Sequence, residues 1–130
     1  MIVVDSSAIV AIALDEPEAA TFLHIMIGNP TVIGAPTLLE SRMVLAGRGV
    51  RDPLDATAII LHASQTEVVA FDRALADQAF SAFLRFGKGR HAAALNYGDC
   101  MAYALARSLN APLLFKGSDF TLTDLVSGGS

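Results

Sequence analysis

The segment IVVDSSA at residues 2–8 decides which fold to expect for this chain. Its β-branched run is typical of a buried strand, and Asp5 ends that run just before residues that favour the start of a helix. Short apolar runs of the same kind recur at 31–33, 67–71 and 113–115, with helical stretches between them. Strands that alternate with helices favour a parallel sheet covered on both faces, so we expect an α/β sandwich.

Helices fill the intervals between these strands. The expected spans are 8–14, about 16–27, 38–46, 53–63, 73–86 and 96–109. Asp52 followed by Pro53 has the chemistry of a helix N-cap and first position, and Asn110 and Pro112 close the last helix. No linker or repeat interrupts the pattern, so we expect one domain over 1–126 and a flexible tail over 127–130.

Composition restricts the class of protein. The chain has 130 residues, of which 53% are hydrophobic and 17% charged, which excludes intrinsic disorder. No apolar run approaches the ~20 residues that a membrane span needs, and the single cysteine, Cys100, cannot form an internal disulfide. We therefore expect a cytoplasmic protein whose surplus apolar surface forms a subunit interface.

Four acidic residues from distant parts of the chain have routes to one edge of the expected sheet: Asp5, Glu40, Asp99 and Asp119. Two follow strands, whereas Glu40 and Asp99 are expected in the first turns of helices. Sites in parallel sheets form beyond the carboxyl ends of the strands. Carboxylates gathered there repel one another unless a divalent cation neutralises them, and Mg²⁺ or Mn²⁺ suits oxygen ligands. The pattern predicts a metal site.

Each acid also has a purely structural interpretation. Asp5 can cap the first helix, and Asp119 can cap a short segment after Ser118. Thr37-Leu38-Leu39-Glu40 matches the capping-box pattern, and Asn96 with Asp99 three positions later is a second helix start of this kind. Spacing alone leaves both interpretations open.

Four blocks of sequence, in this order, resemble the PIN-domain toxins of the VapC type. They are IVVDSSA at 2–8, LE at 39–40, LNYGDC at 95–100 and LLFKGSDF at 113–120. The run GKGRH at 87–91 resembles the basic segment that precedes the third acidic residue in sequences of the same family. The likeness extends over essentially the whole chain and is most specific over 86–123. It implies a PIN-like three-layer sandwich with a central parallel sheet.

The resemblance also implies roles for the acids. Asp5, Glu40 and Asp99 match the family's metal-site acids, and Asp119 matches the fourth. Asp5 and Asp99 would hold Mg²⁺, or Mn²⁺, while Glu40 and Asp119 would act through water or a second ion. Relatives often carry two acids after the glycine, whereas this chain has Ser118 and then Asp119, so the fourth position is the least well matched.

The activity that the resemblance implies is a metal-dependent endoribonuclease, the toxin of a type II toxin–antitoxin system. Water would attack the phosphodiester and leave 5′-phosphate and 3′-hydroxyl ends. The implied partners are RNA, a second copy in a homodimer, and a VapB-type antitoxin in a heterotetramer or larger complex. DNA would be contacted only through the antitoxin, which is expected to place a basic side chain over the acidic cleft. No membrane is involved.

Substrate binding is expected from a cluster of basic residues, although the net charge of −4 does not favour nucleic acid overall. The residues expected to contact backbone phosphates are Arg85, Lys88, Arg90 and His91, with Ser6 and with Lys116 as a further candidate. A solvated surface loop is the alternative for 87–91. Few exposed aromatic residues are expected, so base stacking should contribute little.

Other classes of protein remain as alternatives. A receiver-like signalling domain would use Asp5, Asp72 and Lys116, but Ser6 stands where that class needs a second acid. A PIN fold could instead serve as the partner of a DNA-binding regulatory complex with little nuclease activity, or as a purely structural dimer. The presence of all four acids favours the nuclease.

Overall fold

A four-stranded parallel sheet forms the centre of the computed structural model, which describes residues 1–129. Within that range the strands are β1 (Ile2–Val4), β2 (Thr31–Gly34), β3 (Glu67–Val69) and β4 (Leu113–Leu114). The helices are α1 (Ser6–Ala13), α2 (Ala19–Gly28), α3 (Ala35–Gly47), α4 (Pro53–Ser64), α5 (Arg73–Phe86) and α6 (Tyr97–Ser108). The predicted α/β sandwich with a parallel sheet is confirmed.

The order of the strands, β3-β2-β1-β4, reverses at β1. From β1 the chain builds β2 and then β3 on one side, and it later adds β4 on the other. Val3 consequently pairs with both Val32 and Leu113. Parallel sheets open a crevice where the order reverses, at the carboxyl ends of the strands. In this chain that place lies between the end of β1, at Asp5, and the end of β4.

The sheet is buried on both faces, because successive strand residues point to opposite sides. One face packs Val3, Val32 and Leu113 with apolar residues of α5 and α6. The other face packs Ile2, Val4, Ile33 and Leu114 with residues of α1, α2 and α4. Cys100 is buried in the first cluster, as expected of a packing residue. The result is the three-layer arrangement that the resemblance implied.

Helix α3 begins earlier than predicted, and this changes the position of Glu40. Gly34 is the N-cap and Pro36 lies in the first turn, where its missing N–H costs no hydrogen bond. The capping box predicted at 37–40 is therefore wrong, because Thr37 already lies inside the helix. Glu40 is in the second turn, not the first.

The end of the described chain runs beside β4. The Leu113 N–H donates to the Val126 carbonyl at 3.0 Å, and the Gly128 N–H donates to the Leu113 carbonyl at 2.8 Å. These bonds involve the beginning of the segment predicted as a flexible tail over 127–130, while Ser130 lies outside the described residues. Among residues 1–129, no helix is long and apolar enough to cross a membrane.

Candidate active site

Asp5 lies at the end of β1 and is only 4% exposed. Its Oδ2 caps α1, accepting the Ser7 N–H at 3.1 Å and the Ser7 hydroxyl at 2.6 Å. The Ser7 hydroxyl oxygen in turn accepts the Lys116 N–H at 2.9 Å, which ties the segment after β4 to the start of α1. The structural interpretation of Asp5 as a cap is therefore correct, but it accounts for only one of the two carboxylate oxygens.

The other oxygen, Oδ1 of Asp5, is buried and has no hydrogen-bond partner among the described residues. Leaving a buried acceptor unpaired costs free energy, and more so when the group is charged. Burial raises the pKa of the Asp5 carboxyl; the hydrogen bonds from Ser7 oppose this rise, and the negative charge of Glu40 adds to it. A buried carboxylate oxygen without a hydrogen-bond donor is chemically suited to bind a divalent cation.

Asp99 is the third residue of α6 and forms a complete capping box with Asn96. The Asp99 N–H donates to Asn96 Oδ1 at 2.9 Å, and the Asn96 N–H donates to Asp99 Oδ2 at 3.0 Å. Burial nevertheless raises the pKa of Asp99 to about 6, against the lowering effect of the Asn96 N–H. The charges of three other acids add to the rise: Asp5, Asp119 and Glu40.

Glu40 reaches from α3 to the start of α6, where its carboxyl group rests against Gly98. A Cβ at position 98 would lie 2.6 Å from Cδ and 2.7 Å from Oε1 of Glu40, so no side chain fits there while Glu40 keeps this position. The absence of a side chain at Gly98 thus lets a carboxylate from another helix approach the backbone next to Asp99.

The structure brings the four predicted acids into one electrostatic neighbourhood, with Asp119 as its exposed member. Among residues 1–129, no three His, Cys, Asp or Glu side chains form a ready-made metal-binding group. Mg²⁺ commonly uses only one or two carboxylates and fills its other positions with water. The unpaired oxygen of Asp5 and the carboxyl of Asp99, whose pKa is raised by burial and neighbouring acids, fit such an ion as ligands.

The predicted basic residues contact two aromatic rings near the end of α5. Arg90 lies 5.3 Å from the ring centre of Phe83. Arg85 lies 4.6 Å from the ring centre of Phe86, and the Phe86 and His91 rings are nearly perpendicular with their centres 5.1 Å apart. Arg85 also pairs with Asp124 at 3.3 Å, so part of its charge is already neutralised.

The remaining substrate-binding candidates lie near Asp5. Ser6 is the half-buried first residue of α1. The side chain of Lys116 is held by two acids before α2, Glu16 at 3.1 Å and Glu18 at 3.4 Å. Lys116 therefore contributes its backbone, rather than a free charge, to the neighbourhood of Asp5.

An apolar cavity of about 490 Å³ lies between α5 and α6 and is called here the aromatic cavity. Its walls include Phe71, Phe80, Phe83, Tyr97 and Met101, with Lys88 at the same opening. Tyr97 is 84% exposed and Phe80 is 61% exposed. The expectation of few exposed aromatic residues is confirmed in number, since Phe80 and Tyr97 are the exposed ones among residues 1–129. The sequence spacing did not predict that both rings border the same cavity.

Comparison with known proteins identifies the family. The PIN domain profile matches residues 2–125. The chain belongs to the PIN-domain family. Within it the relatives are VapC ribonucleases: Ribonuclease VapC of Mycolicibacterium smegmatis is 41% identical over 126 residues, covering 96% of this chain and 98% of the relative. Ribonuclease VapC30 of Mycobacterium tuberculosis is 38% identical over 126 residues, with 96% of each chain covered. Membership of the PIN-domain family excludes the receiver-like alternative.

Solved structures show the same PIN-domain fold at lower sequence identity. The M. tuberculosis toxin VapC20, described as cleaving the sarcin–ricin loop, superposes with a TM-score of 0.78 at 20% identity, covering 97% of both chains. A toxin–antitoxin complex from Klebsiella pneumoniae gives a TM-score of 0.71 at 14% identity, covering 98% of both.

Three residues of the site were not among the predicted site residues: Ser7, Gly98 and Tyr97. A hydroxyl two positions after a strand-terminal acid is a usable signal for Ser7, because that spacing suits a side-chain bond back to the cap. Gly98 sits within a helix start, where glycine is unfavourable without a packing reason. Nothing in the local sequence distinguishes Tyr97 from a buried tyrosine.

Proposed function

We propose that this chain hydrolyses RNA phosphodiester bonds at the acid cluster, with Mg²⁺ or Mn²⁺ bound by Asp5 and Asp99. The observation that carries the proposal is the buried Oδ1 of Asp5, unpaired among the described residues and close to further acids. A protein maintains such an arrangement at a cost in stability, and a cation would remove that cost.

The residues of the chain have distinct tasks in this proposal. Ser7 holds Oδ2 of Asp5 and so fixes the direction in which Oδ1 points. Asn96 orients Asp99 in the same way. Glu40, whose carboxyl rests against Gly98, would accept a hydrogen bond from the attacking water. Asp119 would contribute through water or a second ion. When bound, the cation supplies charge neutralisation at the phosphate and activation of water.

The RNA backbone would be held mainly by basic side chains of the chain. Lys88 and Arg90 are exposed and flank the aromatic cavity, and His91 and Ser6 are further phosphate contacts. Arg85 would contribute less, because it shares its charge with Asp124. Most of the binding energy to phosphates would be lost at high salt.

The proposed biological role is that of a toxin in the cytoplasm, neutralised by an antitoxin of the VapB type. An antitoxin side chain of positive charge, above all arginine, would pair with the unsatisfied carboxylates and replace the cation. We further propose that the toxin is a homodimer that forms a heterotetramer or larger complex with antitoxin. Exposed apolar side chains such as Leu39, Met43 and Ile59 provide surface for such contacts.

Cleavage of purified RNA tests the activity directly. Total RNA is incubated with the wild type, with Asp5→Asn, and with Asp77→Asn, whose exposed carboxyl lies on α5 and is not among the acids that raise the pKa of Asp5 or Asp99. Discrete products are expected from the wild type and from Asp77→Asn in Mg²⁺ or Mn²⁺, but not with a chelator or from Asp5→Asn. A folded protein that cleaves no RNA under any metal, or Asp5→Asn as active as wild type, would refute the proposal.

Neutralisation is tested by co-expression in bacteria. Induction of the chain alone should arrest growth, and co-expression of its cognate antitoxin should restore it. Replacing the antitoxin's basic residues that face the cleft should abolish the rescue. Rescue that survives removal of every such residue would contradict neutralisation by charge.

A further inference from the structure

We infer that the aromatic cavity binds an unstacked nucleobase of the RNA, next to the phosphate that is hydrolysed. This inference rests on the proposed ribonuclease activity and adds a residue, Tyr97, that would determine how the strand is held. Loss of the base site and loss of the activity give different experimental results.

The rings around the cavity are arranged to receive another flat group. Phe80 and Phe83 lie nearly parallel, with ring centres 6.5 Å apart and an angle of 19° between the planes. Tyr97 stands at the same cavity, and its side chain is almost fully exposed. The volume of about 490 Å³ lies within the usual range of small-molecule sites, roughly 300–1,000 Å³. Proteins that bind single-stranded RNA stack its bases on side chains of this kind.

None of the four acids lines the cavity, but residues on both sides of Asp99 in the sequence do. Asn96 and Cys100 line it, and they bracket Asp99 on α6. On the α3 side, an adjoining cavity lined by Glu40 shares Tyr97 and other wall residues with it. A base in the aromatic cavity would therefore lie beside a phosphate held at Asp99.

The charges around the cavity favour an RNA strand over a protein surface. Of the described residues that line it, Lys88 is the charged one, and no carboxylate faces it. Arg90 places a second positive charge over Phe83 at the edge of the aromatic group. An apolar cavity bordered by cations suits a base that is attached to phosphates, since the ring fills the cavity while the backbone meets Lys88 and Arg90. An apolar partner helix would gain nothing from these charges.

A binding experiment uses the fact that the chain has no tryptophan. The variant Tyr97→Trp introduces a single indole at the cavity, and Leu84→Trp introduces one at an exposed position of α5 that does not line it. A 12-nucleotide unstructured RNA is titrated into each variant with a chelator present, so that no cleavage occurs. Saturable quenching is expected for Tyr97→Trp only. Equal quenching in both variants, or none in Tyr97→Trp, would overturn the inference.

A cleavage experiment tests the same site through the substrate. Once the cut in a short RNA is mapped, each flanking base is replaced in turn by an abasic nucleotide. Tyr97→Ala should lower kcat/KM by about 5- to 150-fold, the usual effect of losing one stacking contact. Tyr97→Phe should restore most of it, and Leu84→Ala should be unaffected. One abasic substitution should lower wild-type cleavage similarly and cause no further loss in Tyr97→Ala.

The outcomes separate three cases. If the wild type does not cleave RNA, the proposed function fails, and the quenching result alone decides whether the cavity binds a base. If the wild type cleaves and both Tyr97→Ala and the abasic substrates behave normally, the base site is refuted. If Tyr97→Ala changes the oligomeric state by light scattering while wild-type enzyme cleaves every abasic RNA normally, the cavity is a protein interface and the inference is likewise wrong.

Discussion

Two clusters in this molecule are built around carboxylates, Asp124 and Asp5, and they differ in whether the carboxylate oxygens have hydrogen-bond partners. Asp124 accepts hydrogen bonds from the Tyr103 hydroxyl at 2.5 Å and from Arg85 at 3.3 Å, and lies 3.8 Å from Arg107. Asp5 keeps one buried oxygen that is unpaired among residues 1–129, near other acids. The first carboxylate is paired with groups from other segments of the chain, whereas the second keeps a buried oxygen without a described partner.

The pKa of Asp124 is lowered and the pKa values of Asp5 and Asp99 are raised, because the groups around the two clusters carry opposite charges. Burial tends to raise the pKa of Asp124, but the Tyr103 hydroxyl and the two arginines outweigh it and lower the pKa below its ordinary value. At Asp5 and Asp99 burial dominates, and the neighbouring charges are negative, so both pKa values rise. A carboxylate that destabilises its own fold is therefore the better candidate for function.

The largest effect is expected from Asp5→Asn. Activity should fall by at least about 100-fold, because an amide binds a divalent cation weakly. The metal-free variant should be no less stable than wild type, since a neutral group avoids the cost of burying a charge. Cleavage rates and chemical denaturation measure the two quantities. The contrasting variant, Asp124→Asn, should lose stability and retain its activity while folded; the reverse pattern would invalidate the comparison.

A smaller loss of activity is expected from Gly98→Ala. The new methyl group must displace the Glu40 carboxyl, which is the flexible end of a side chain, so stability should change little. Cleavage should fall by roughly 10- to 100-fold, as for other residues that position a metal site. The control is Gly47→Ala, where a Cβ meets nothing within 4 Å. Equal activity in the two variants would show that the position of Glu40 is unimportant.

The dependence of stability on pH should distinguish Asp99 from Asp124. Because the folded pKa of Asp99 is raised to about 6, this residue stabilises the metal-free protein below pH 4 and loses that contribution as the pH rises through 6. The loss should be on the order of 1–2 kcal/mol after allowing for solvent screening. Denaturation of wild type and Asp99→Asn at pH 4.5 and 7.5, with a chelator, measures it.

Two controls accompany this experiment. Saturating Mg²⁺ should remove most of the loss at pH 7.5, because the cation replaces the proton as the partner of the carboxylate. Asp124 should behave oppositely: its folded pKa is lowered, so its contribution is present above about pH 4 and lost only as the pH falls further. If the free energy of unfolding depends on pH identically in wild type and Asp99→Asn, the raised pKa of Asp99 would be contradicted.

The smallest effect on activity is expected from Tyr103→Phe. The ring stays packed against Phe86, and only the hydroxyl that donates to Asp124 is lost. The free energy of unfolding should fall by about 1.5–3 kcal/mol, the usual value for a hydrogen bond to a charged group. Cleavage by the folded variant should be unchanged. A large loss of activity without loss of stability would mean that the Asp124 cluster also serves the site.

The layout of the fold could be predicted from sequence because its signals are local. Asp52, Asp72 and Asn96 each cap a helix as their residue type suggests. The start of α3 could not be located, because Gly34 caps it without a side chain and the Thr37–Glu40 pattern imitates a helix start. The four acids could be assigned to one edge of the sheet by topology and by resemblance to a family.

The geometry of the site could not be predicted, because it depends on contacts between distant segments. Ser7 meets Lys116 across 109 positions, and Glu40 meets Gly98 across two helices. The partial neutralisation of Arg85 depends on Asp124, which lies 39 positions away from it. Local spacing carries no information about such pairs.

The contact between Glu40 and Gly98 has a consequence for how this sequence can vary. Both groups occupy one small volume, so a side chain at position 98 forces the Glu40 carboxyl from its place, whereas a shorter acid at position 40 leaves room for that side chain. Substitutions at positions 40 and 98 should therefore be coupled. A library randomised at both and selected for toxicity should return glycine wherever glutamate is kept, and alanine at 98 chiefly alongside aspartate at 40.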